Sequence, residues 1–331
     1  MMAMVPDIAR DIFELPPAYA AERLYTVSRD LYAPVLAAFA VRCLDTLAGR
    51  PRAINLCLAR DGISAFVAQR LLLRLVPARF RRISPRRVRL VYLSRHLMAE
   101  ALADPATFRL ADRYLRDAGL HRGTPVTLVD VGIHGQLQDV LSVCYPECSL
   151  RGEYLIYRRR PADVNAAFKR GLLVGDPQVT DAADDAADFL RRDAIHLLED
   201  LWNGVYESVD ALREVPRRWP RHSSRGARHA SRVRPWLYRL GERSTHPLLG
   251  AELRRLKRAA LRGVVDGVAR IGPQMSRMAG ESSDRVGREA LAESAHRLGD
   301  WIAASRTPGS LDAWLWHALI RPDRETADDD W

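Results

Sequence analysis

Four short apolar runs, each followed by polar residues, indicate the strands of a parallel β-sheet. Runs of this length are typical of strands that are buried on both faces. The predicted strands are Ala53–Ala59, Val88–Leu93, Val126–Val129 and Arg151–Arg158, with a short fifth strand or edge at Gly171–Gly175. The first three end in residues that carry chemistry, so the carboxyl ends of the strands are where we expect function.

Stretches with apolar residues at helical spacing separate these runs and follow them. The predicted helices are Leu31–Leu47, Ile63–Leu75, Ala99–Ala118, Asp188–Val205, Leu248–Ile271, Ser283–Ala304 and Leu311–Ile320. Strands that alternate with helices are typical of an α/β fold with a parallel sheet. We therefore predict a Rossmann-like α/β domain at residues 1–180 and a mainly helical C-terminal domain at residues 181–331, with an arginine-rich linker near 217–234.

The stretch Thr124–Leu141 contains the clearest strand-to-helix turn of the chain. Its strand ends at Asp130, Gly132 and Gly135 allow a tight turn, and a helix follows from Gln136. In a doubly wound sheet, ligands bind beyond the carboxyl ends of the strands, where helix N-termini attract anions. The Asp130 carboxylate suits a sugar hydroxyl or a metal ion at this edge. The alternative is an ordinary turn in which Asp130 binds only local amides.

Similar polar residues follow the first two predicted strands, Ala53–Ala59 and Val88–Leu93. Gly62 permits the turn after the first strand, and Ser64 is expected to cap the next helix. Because the carboxyl ends of neighbouring parallel strands share one edge, we expect all these residues to converge. The residues predicted at this edge are Arg60, Asp61, Gly62, Ser64, Ser94, Arg95, Asp130, Gly132, His134, Gly135, Gln136 and Gln138.

The chemistry of these side chains suggests their roles. Asp61 and Asp130 are the predicted catalytic carboxylates and the predicted ligands of a Mg²⁺ ion. His134 is the predicted general base near pH 7, with an ordinary exposed turn histidine as the alternative. Arg60 and Arg95 offer planar forks to phosphate oxygens. Together with these arginines, the predicted substrate-binding residues are Gly62, Ser64, Ser94, Gly132, Gly135, Gln136 and Gln138.

The positive charge of the chain does not by itself indicate a nucleic-acid partner. The formal net charge is +10, but Lys169 and Lys257 are the only lysines. Such a bias toward arginine is typical of a source genome with a biased base composition. Nucleic-acid binders more often mix lysine, arginine and aromatic residues. The glycine-rich motifs G-x-x-x-x-G-K-[ST] and G-x-G-x-x-G are missing from the sequence, as is the hydrolase motif G-x-S-x-G.

The cysteines and the N-terminal segment favour a cytoplasmic location. Cys43 and Cys57 fall in apolar runs and are expected to be core thiols, and Cys144 and Cys148 have no second pair nearby to suggest zinc. Met1–Leu15 does not have the pattern of a signal peptide. No stretch is expected to approach the uninterrupted apolar length of a membrane span. The oligomeric state stays open.

Three motifs resemble a family of bacterial proteins. Leu58–Gly62 reads LARDG, Tyr92–Arg95 reads YLSR, and Asp130–Gln138 reads DVGIHGQLQ. Together with Ile195–Val209, they resemble the C-terminal domain of large proteins described as predicted HAD-superfamily hydrolases, which are associated with surface-polysaccharide genes. The resemblance covers about residues 30–210 and implies a role in polysaccharide biosynthesis. The D-x-D strand of the phosphatase part of that family is missing, so the resemblance does not imply aspartyl-phosphate chemistry.

The layout is also similar to that of type I phosphoribosyltransferases. In those enzymes one strand-end loop holds pyrophosphate, and a later acidic strand end with a T-G-x-T turn holds the ribose hydroxyls and the 5-phosphate. Here Val131 replaces the second acid, and Gly135-Gln136 stands where Thr-Gly would be. This resemblance implies an enzyme that acts on a phosphorylated sugar or nucleotide by phosphoribosyl or glycosyl transfer. The alternatives are a non-catalytic binding or scaffold module and, more weakly, a HAD-like phosphohydrolase or a nucleic-acid binder.

Overall fold

A five-stranded parallel sheet lies at the centre of the fold. The computed structural model describes residues 17–59, 61–132, 134–157, 159–160, 163–173, 202, 209–213, 237–240, 250–278 and 284–305. The strands are β1 (Ile54–Ala59), β2 (Val88–Tyr92), β3 (Pro125–Asp130), β4 (Ser149–Tyr154) and β5 (Lys169–Gly171). Every neighbouring pair in this sheet is parallel. The predicted α/β class with a parallel sheet is confirmed.

The strand order of this sheet is 2-1-3-4-5. After β1 the chain moves to β2 on one side, then crosses back to β3 on the other side and continues outward. This order is doubly wound, and its topological switch point lies between β1 and β3. Cys57 of β1 pairs with Val129 of β3, so the turns that follow these two strands begin side by side.

Helices cover both faces of the sheet. Helices α1 (Pro17–Val27) and α2 (Ala33–Ala48) are joined by a π-helical turn at Ser28–Tyr32, and α3 is Ile63–Leu75. The other face carries α4 (Arg95–Ala103), α5 (Pro105–Ala118) and α6 (Gln136–Cys144). Alternate residues along each strand enter two different cores. Cys57 and Val129 pack with α2 and α3, whereas Leu56 and Leu128 pack with α4, α5 and α6.

Two long helices near the C-terminus are α7 (Gly250–Met278) and α8 (Asp284–Ser305). Helix α7 packs against α1, α2, α3 and the π-helical turn, and Val264 of α7 belongs to the same core as α2. Strands β6 (Val209–Arg213) and β7 (Leu237–Leu240) form a separate antiparallel pair that the sequence did not predict. The division near residue 180 stays a prediction, because residues 174–201 and the linker at 217–234 lie outside the described residues.

The predicted helix Ala99–Ala118 is in fact two helices. Helix α4 ends at Ala103, the Asp104 side chain caps α5, and Pro105 is the first residue of α5. Proline has no N–H group and its ring clashes with the preceding turn, so it ends α4 and suits the start of α5. The fourth and fifth strands also end earlier than predicted. Of the predicted helices Asp188–Val205 and Leu311–Ile320, only Trp202 is described, and it is helical.

One helical run in the described part of the chain is long and apolar enough to cross a membrane. It is Ala20–Ala48, which spans α1, the π-helical turn and α2. Length and composition alone do not test the expectation of no membrane span, which stays a prediction. Of its most apolar window, 67% is buried inside the protein, where Leu36, Phe39 and Leu44 are fully enclosed. Core helices of globular domains meet the same criterion of length and composition.

A glycine of α7 allows that helix to approach the π-helical turn closely. A side chain at Gly267 would meet the carbonyl oxygen of Arg29 and the β-carbon of Ala33. Helix propensity alone favours alanine over glycine by about 1 kcal/mol. We nevertheless expect Gly267→Ala to lower the free energy of unfolding by about 1–3 kcal/mol, because backbone atoms cannot move aside. Gly272→Ala, which would meet mainly the flexible end of Leu72, is the control. Equal urea-unfolding curves for the two variants would contradict this packing.

Candidate functional site

The turns after β1 and β3 meet at the switch point of the sheet. Asp61 and Gly62 follow β1, and Asp130 is the last residue of β3. The Gly62 N–H donates a hydrogen bond of 2.6 Å to the Leu58 carbonyl, so the chain folds back over the end of β1. A β-carbon on Gly62 would lie 2.8 Å from the carbonyl oxygen of Val129. The turn after β1, which contains Asp61 and Gly62 and is called the β1 turn below, therefore packs directly against β3. Asp61 and Asp130 lie at the same edge of the sheet.

Asp130 is half-buried in the β3 turn. Its Oδ1 accepts a hydrogen bond of 2.9 Å from the Val131 N–H, so local amide binding accounts for one of its oxygens. Its Oδ2 lies beside Gly132, at 3.0 Å from the point that a β-carbon there would occupy. Val131 is buried in the core. The β3 turn thus offers a single carboxylate at this point, rather than the adjacent pair of acids found in phosphoribosyltransferases.

The helices that start at the switch point both have glycine at the N-cap. Gly62 precedes α3 and Gly135 precedes α6, and neither makes a side-chain capping bond. By contrast, Ser94 and Asp104 cap α4 and α5 through their side chains. The expectation that Ser64 caps α3 was wrong, since the cap position is Gly62, two residues earlier. N–H groups in the first turn of a helix with a glycine cap suit an anion.

A group of buried polar and aromatic side chains supports the β1 turn. The Tyr32 hydroxyl lies 3.2 Å from the Ser64 Oγ, Tyr32 stacks on Trp202 at 3.8 Å between ring centroids, and Trp202 donates to the Ser28 Oγ. Burial raises the pKa of the Tyr32 hydroxyl, and the nearby Asp61 charge adds to this effect. Ser64 is fully buried, so its position is explained by support of the turn. Trp202 was not predicted to belong to the site.

The turn after β2 reaches the same edge. The Ser94 Oγ accepts a hydrogen bond of 3.0 Å from the Leu97 N–H. Arg95 is exposed, and its guanidinium donates to the side-chain oxygen of Gln136 at the start of α6. Two residues that were predicted to bind ligand, from different turns, are therefore in contact with each other.

Gln138 is a buried residue of α6. Its Oε1 accepts a hydrogen bond of 3.0 Å from the Tyr154 hydroxyl, and its Nε2 donates to the Phe168 carbonyl at 3.4 Å. Burial, followed by the charge of Asp130, raises the pKa of Tyr154 well above its ordinary value, so the phenol stays a donor at neutral pH. These bonds give Gln138 a structural explanation, and its contact with a ligand stays a prediction.

Lys169, the first residue of β5, was not predicted to belong to the site. Its side chain is 0% exposed. Its Nζ donates to the Asp139 carboxylate at 2.7 Å, to the Asp163 carboxylate at 2.9 Å and to the His134 carbonyl at 3.1 Å. One signal in the sequence could have drawn attention to it, namely that only two of 51 basic residues are lysines.

A metal ion at this edge would depend on ligand oxygens as well as protein side chains. Among the residues that the structure describes, no group of three or more His, Cys, Asp or Glu side chains could hold a metal. Mg²⁺ is commonly bound by one or two carboxylates together with water and substrate phosphates. The role of Asp61 and Asp130 as the two carboxylate ligands stays a prediction. His134 is half-buried in the β3 turn, and Arg60 lies outside the described residues.

No protein-family model, curated protein or solved structure matches the chain. A functional assignment therefore depends on the geometry of this edge and on the chemistry of its residues. The topology adds one general argument, because ligands of open α/β sheets bind at the switch point.

Asp163 provides a pH test of the ion pairs that Lys169 makes with Asp139 and Asp163. Burial opposes its ionisation, but hydrogen bonds from Lys169 and Tyr157 outweigh this and lower its pKa. A carboxyl group whose pKa is lower in the folded state stabilises the fold above the ordinary pKa, and this contribution is lost as the pH falls. Below about pH 4, we expect the melting temperature of the wild type to fall more steeply than that of Asp163→Asn. The exposed Asp117→Asn is the control, and parallel curves for Asp163→Asn and the wild type would contradict the assignment.

Proposed function

We propose that this chain is an enzyme that binds a phosphorylated sugar or nucleotide, with Mg²⁺, between the turns that follow β1 and β3. The proposed reaction is phosphoribosyl or glycosyl transfer. One observation carries the proposal. Two turns, each with a carboxylate and each leading into a helix with a glycine cap, lie side by side at the switch point of a doubly wound sheet.

The groups at this edge match the two parts of such a ligand. Phosphate oxygens suit the N-termini of α3 and α6, where the helix dipoles favour negative charge. The exposed guanidinium of Arg95, which also donates to Gln136, adds a planar fork of donors. Sugar hydroxyls and Mg²⁺ suit the carboxylates of Asp61 and Asp130.

In the proposed transfer, the bond between the anomeric carbon and its phosphate or pyrophosphate leaving group breaks. A nucleophilic atom of the acceptor forms the new bond to that carbon and releases its proton. The negative charge that develops on the leaving group would be stabilised by the helix N-termini and by Arg95. His134 would accept the proton near pH 7. Bound Mg²⁺ supplies further charge stabilisation to the leaving group.

The second candidate is a binding or scaffold module that keeps the crevice without turnover. It is favoured by the buried Val131 at the position of the second acid of phosphoribosyltransferases. A HAD-like phosphohydrolase is weaker, since Gly132 stands where a D-x-D motif has its second aspartate. The arginine-rich segment 217–234, on which nucleic-acid binding would depend, lies outside the described residues. A role in polysaccharide biosynthesis is proposed from the family resemblance alone, and a cytoplasmic location stays a prediction.

Ligand-induced stabilisation tests this proposal. The full chain is heated with phosphoribosyl pyrophosphate, nucleoside diphosphate sugars or pyrophosphate, each with and without Mg²⁺. A ligand at about 100 times its Kd should stabilise the fold by about 2.7 kcal/mol and raise the melting temperature by a few degrees. Release of pyrophosphate or nucleoside diphosphate in the presence of acceptor sugars then separates an enzyme from a binding module. An unchanged melting temperature with all of these compounds at millimolar concentration would contradict both the enzyme and the binding module.

A further inference from the structure

We propose that Lys169 is a positioning residue for this site. It fixes the backbone of the His134–Gly135 turn and thereby aims the N-terminus of α6 at the phosphate or pyrophosphate group of the ligand. This inference rests on the proposed function. It places the phosphate or pyrophosphate group of the ligand at the β3 turn.

The geometry at Lys169 leaves each of its protons with an acceptor. An ammonium group has three N–H donors, and the Nζ of Lys169 has three acceptors, on Asp139, Asp163 and the His134 carbonyl. Both carboxylates are themselves held in place. Asn165 donates to Asp139 Oδ1 at 2.8 Å, and a tyrosine hydroxyl donates to Asp163 Oδ2 at 2.7 Å. The lysine therefore has one fixed position.

The choice of lysine here has a chemical reason. The three acceptors come from three different segments, which are the β3 turn, α6 and the loop before β5. A compact ammonium can donate toward all three, whereas the planar guanidinium of arginine directs its donors within one plane. In a chain in which only two of the 51 basic residues are lysines, lysine at this buried position indicates a requirement of geometry.

The link from Lys169 to the helix N-terminus is direct. Gly135 is the N-cap of α6 and has a φ of 60°. A β-carbon there would lie 2.6 Å from the Tyr154 Oη and 3.1 Å from the Cδ of Lys169. The turn thus rests on the Tyr154 ring and on the lysine stem, while the lysine Nζ holds the neighbouring His134 carbonyl. Movement of this lysine would move the first N–H groups of α6.

Binding of inorganic pyrophosphate, measured by isothermal titration calorimetry on the full chain, tests the inference. The double variant Lys169→Met/Asp163→Asn keeps the stem and leaves no unpaired charge at the deeply buried Asp163, since an unpaired buried charge is costly. We expect it to fold and to bind pyrophosphate at least about 10-fold more weakly, which is about 1.4 kcal/mol. The matched control is Arg42→Met/Glu153→Gln. It removes another buried ion pair, whose Nε–Oε2 distance is 3.1 Å, and should keep the wild-type affinity.

Two further variants separate positioning from charge balance. Lys169→Arg restores the charge but not the geometry, so its affinity should stay low, whereas a role in charge balance alone predicts full rescue. Asp139→Ala removes one acceptor of Lys169 at a side chain that is 33% exposed. If the double variant does not fold, the pyrophosphate titration uses Asp139→Ala in its place, with the same expected loss of affinity.

The outcomes distinguish this inference from the proposed function. If the wild type binds pyrophosphate and the Lys169 variants bind it equally well, the inference is overturned and the proposed function stands. Equal losses in the Lys169 variant and in the Arg42 control would also overturn it, because they would reflect stability alone. If the wild type itself does not bind pyrophosphate, the inference is overturned, whereas the proposed function is decided by the phosphorylated sugars and nucleotides tested above.

Discussion

Asp130→Asn is expected to keep the fold and to lose most of the Mg²⁺-dependent affinity for a phosphorylated sugar. The substitution preserves the shape of the side chain, and the asparagine oxygen can still accept from the Val131 N–H, as Asp130 Oδ1 does at 2.9 Å. What it removes is the negative charge offered to Mg²⁺ or to sugar hydroxyls. Hydrogen bonds to charged groups contribute about 1.5–3 kcal/mol, so the affinity should fall by about 10- to 100-fold.

Calorimetric titration with phosphoribosyl pyrophosphate and Mg²⁺ measures this loss. Asp61→Asn should show a loss of the same order, because Asp61 stands at the same edge after β1. Asp117→Asn, at an exposed position of α5, makes the same chemical change away from the site and should bind as the wild type does. Unchanged affinity and full turnover in a folded Asp130→Asn protein would show that the site is assigned to the wrong residues.

Gly62→Ala is expected to cause the largest loss of stability among single substitutions at the switch point. Its new β-carbon would lie 2.7 Å from the Leu58 carbonyl oxygen and 2.8 Å from that of Val129. The φ of Gly62 is −77°, which any residue adopts, so the effect is purely steric. Because these contacts are backbone atoms at the ends of β1 and β3, we expect a loss of about 3 kcal/mol in the free energy of unfolding. The β1 turn should shift, and ligand affinity should fall with it.

Gly49→Ala is the matched control for this experiment. Gly49 also has an ordinary φ, of −69°, but a β-carbon there would meet only carbonyl oxygens at 3.7 and 3.8 Å. Its stability should stay within about 1 kcal/mol of the wild type, since Gly→Ala at an unstrained position is neutral or stabilising. Chemical denaturation of both variants gives the comparison. If Gly62→Ala is as stable as Gly49→Ala, the two turns are not packed as described.

The sheet and its first helices were predictable because the pattern of apolar residues within each element indicates its structure. Buried parallel strands leave continuous apolar runs, and the apolar stripe of Ile63–Leu75 identified α3 with both of its ends. The apolar spacing continues across Asp104-Pro105 and therefore predicts a single helix, although the proline separates α4 from α5. The pair β6–β7 was missed because both strands are short and lie in a segment with little apolar periodicity.

The candidate site was predictable only in part. Residues that directly follow strands are placed by the topology of the sheet, so Asp61 and Asp130 could be expected at one edge. Trp202 and Lys169 reach the site from distant parts of the sequence, and their partners Ser28 and His134 are chosen by tertiary packing. No local pattern encodes such contacts. Their burial and their hydrogen bonds become visible only in the folded chain.

A structure of the full chain with phosphoribosyl pyrophosphate and Mg²⁺ bound tests the central claim most directly. We predict that the pyrophosphate lies against the N-termini of α3 and α6. We also predict that Mg²⁺ or the ribose hydroxyls lie within bonding distance of Asp130 or Asp61. A ligand that is ordered elsewhere on the protein, with neither aspartate in contact with it, would contradict the account.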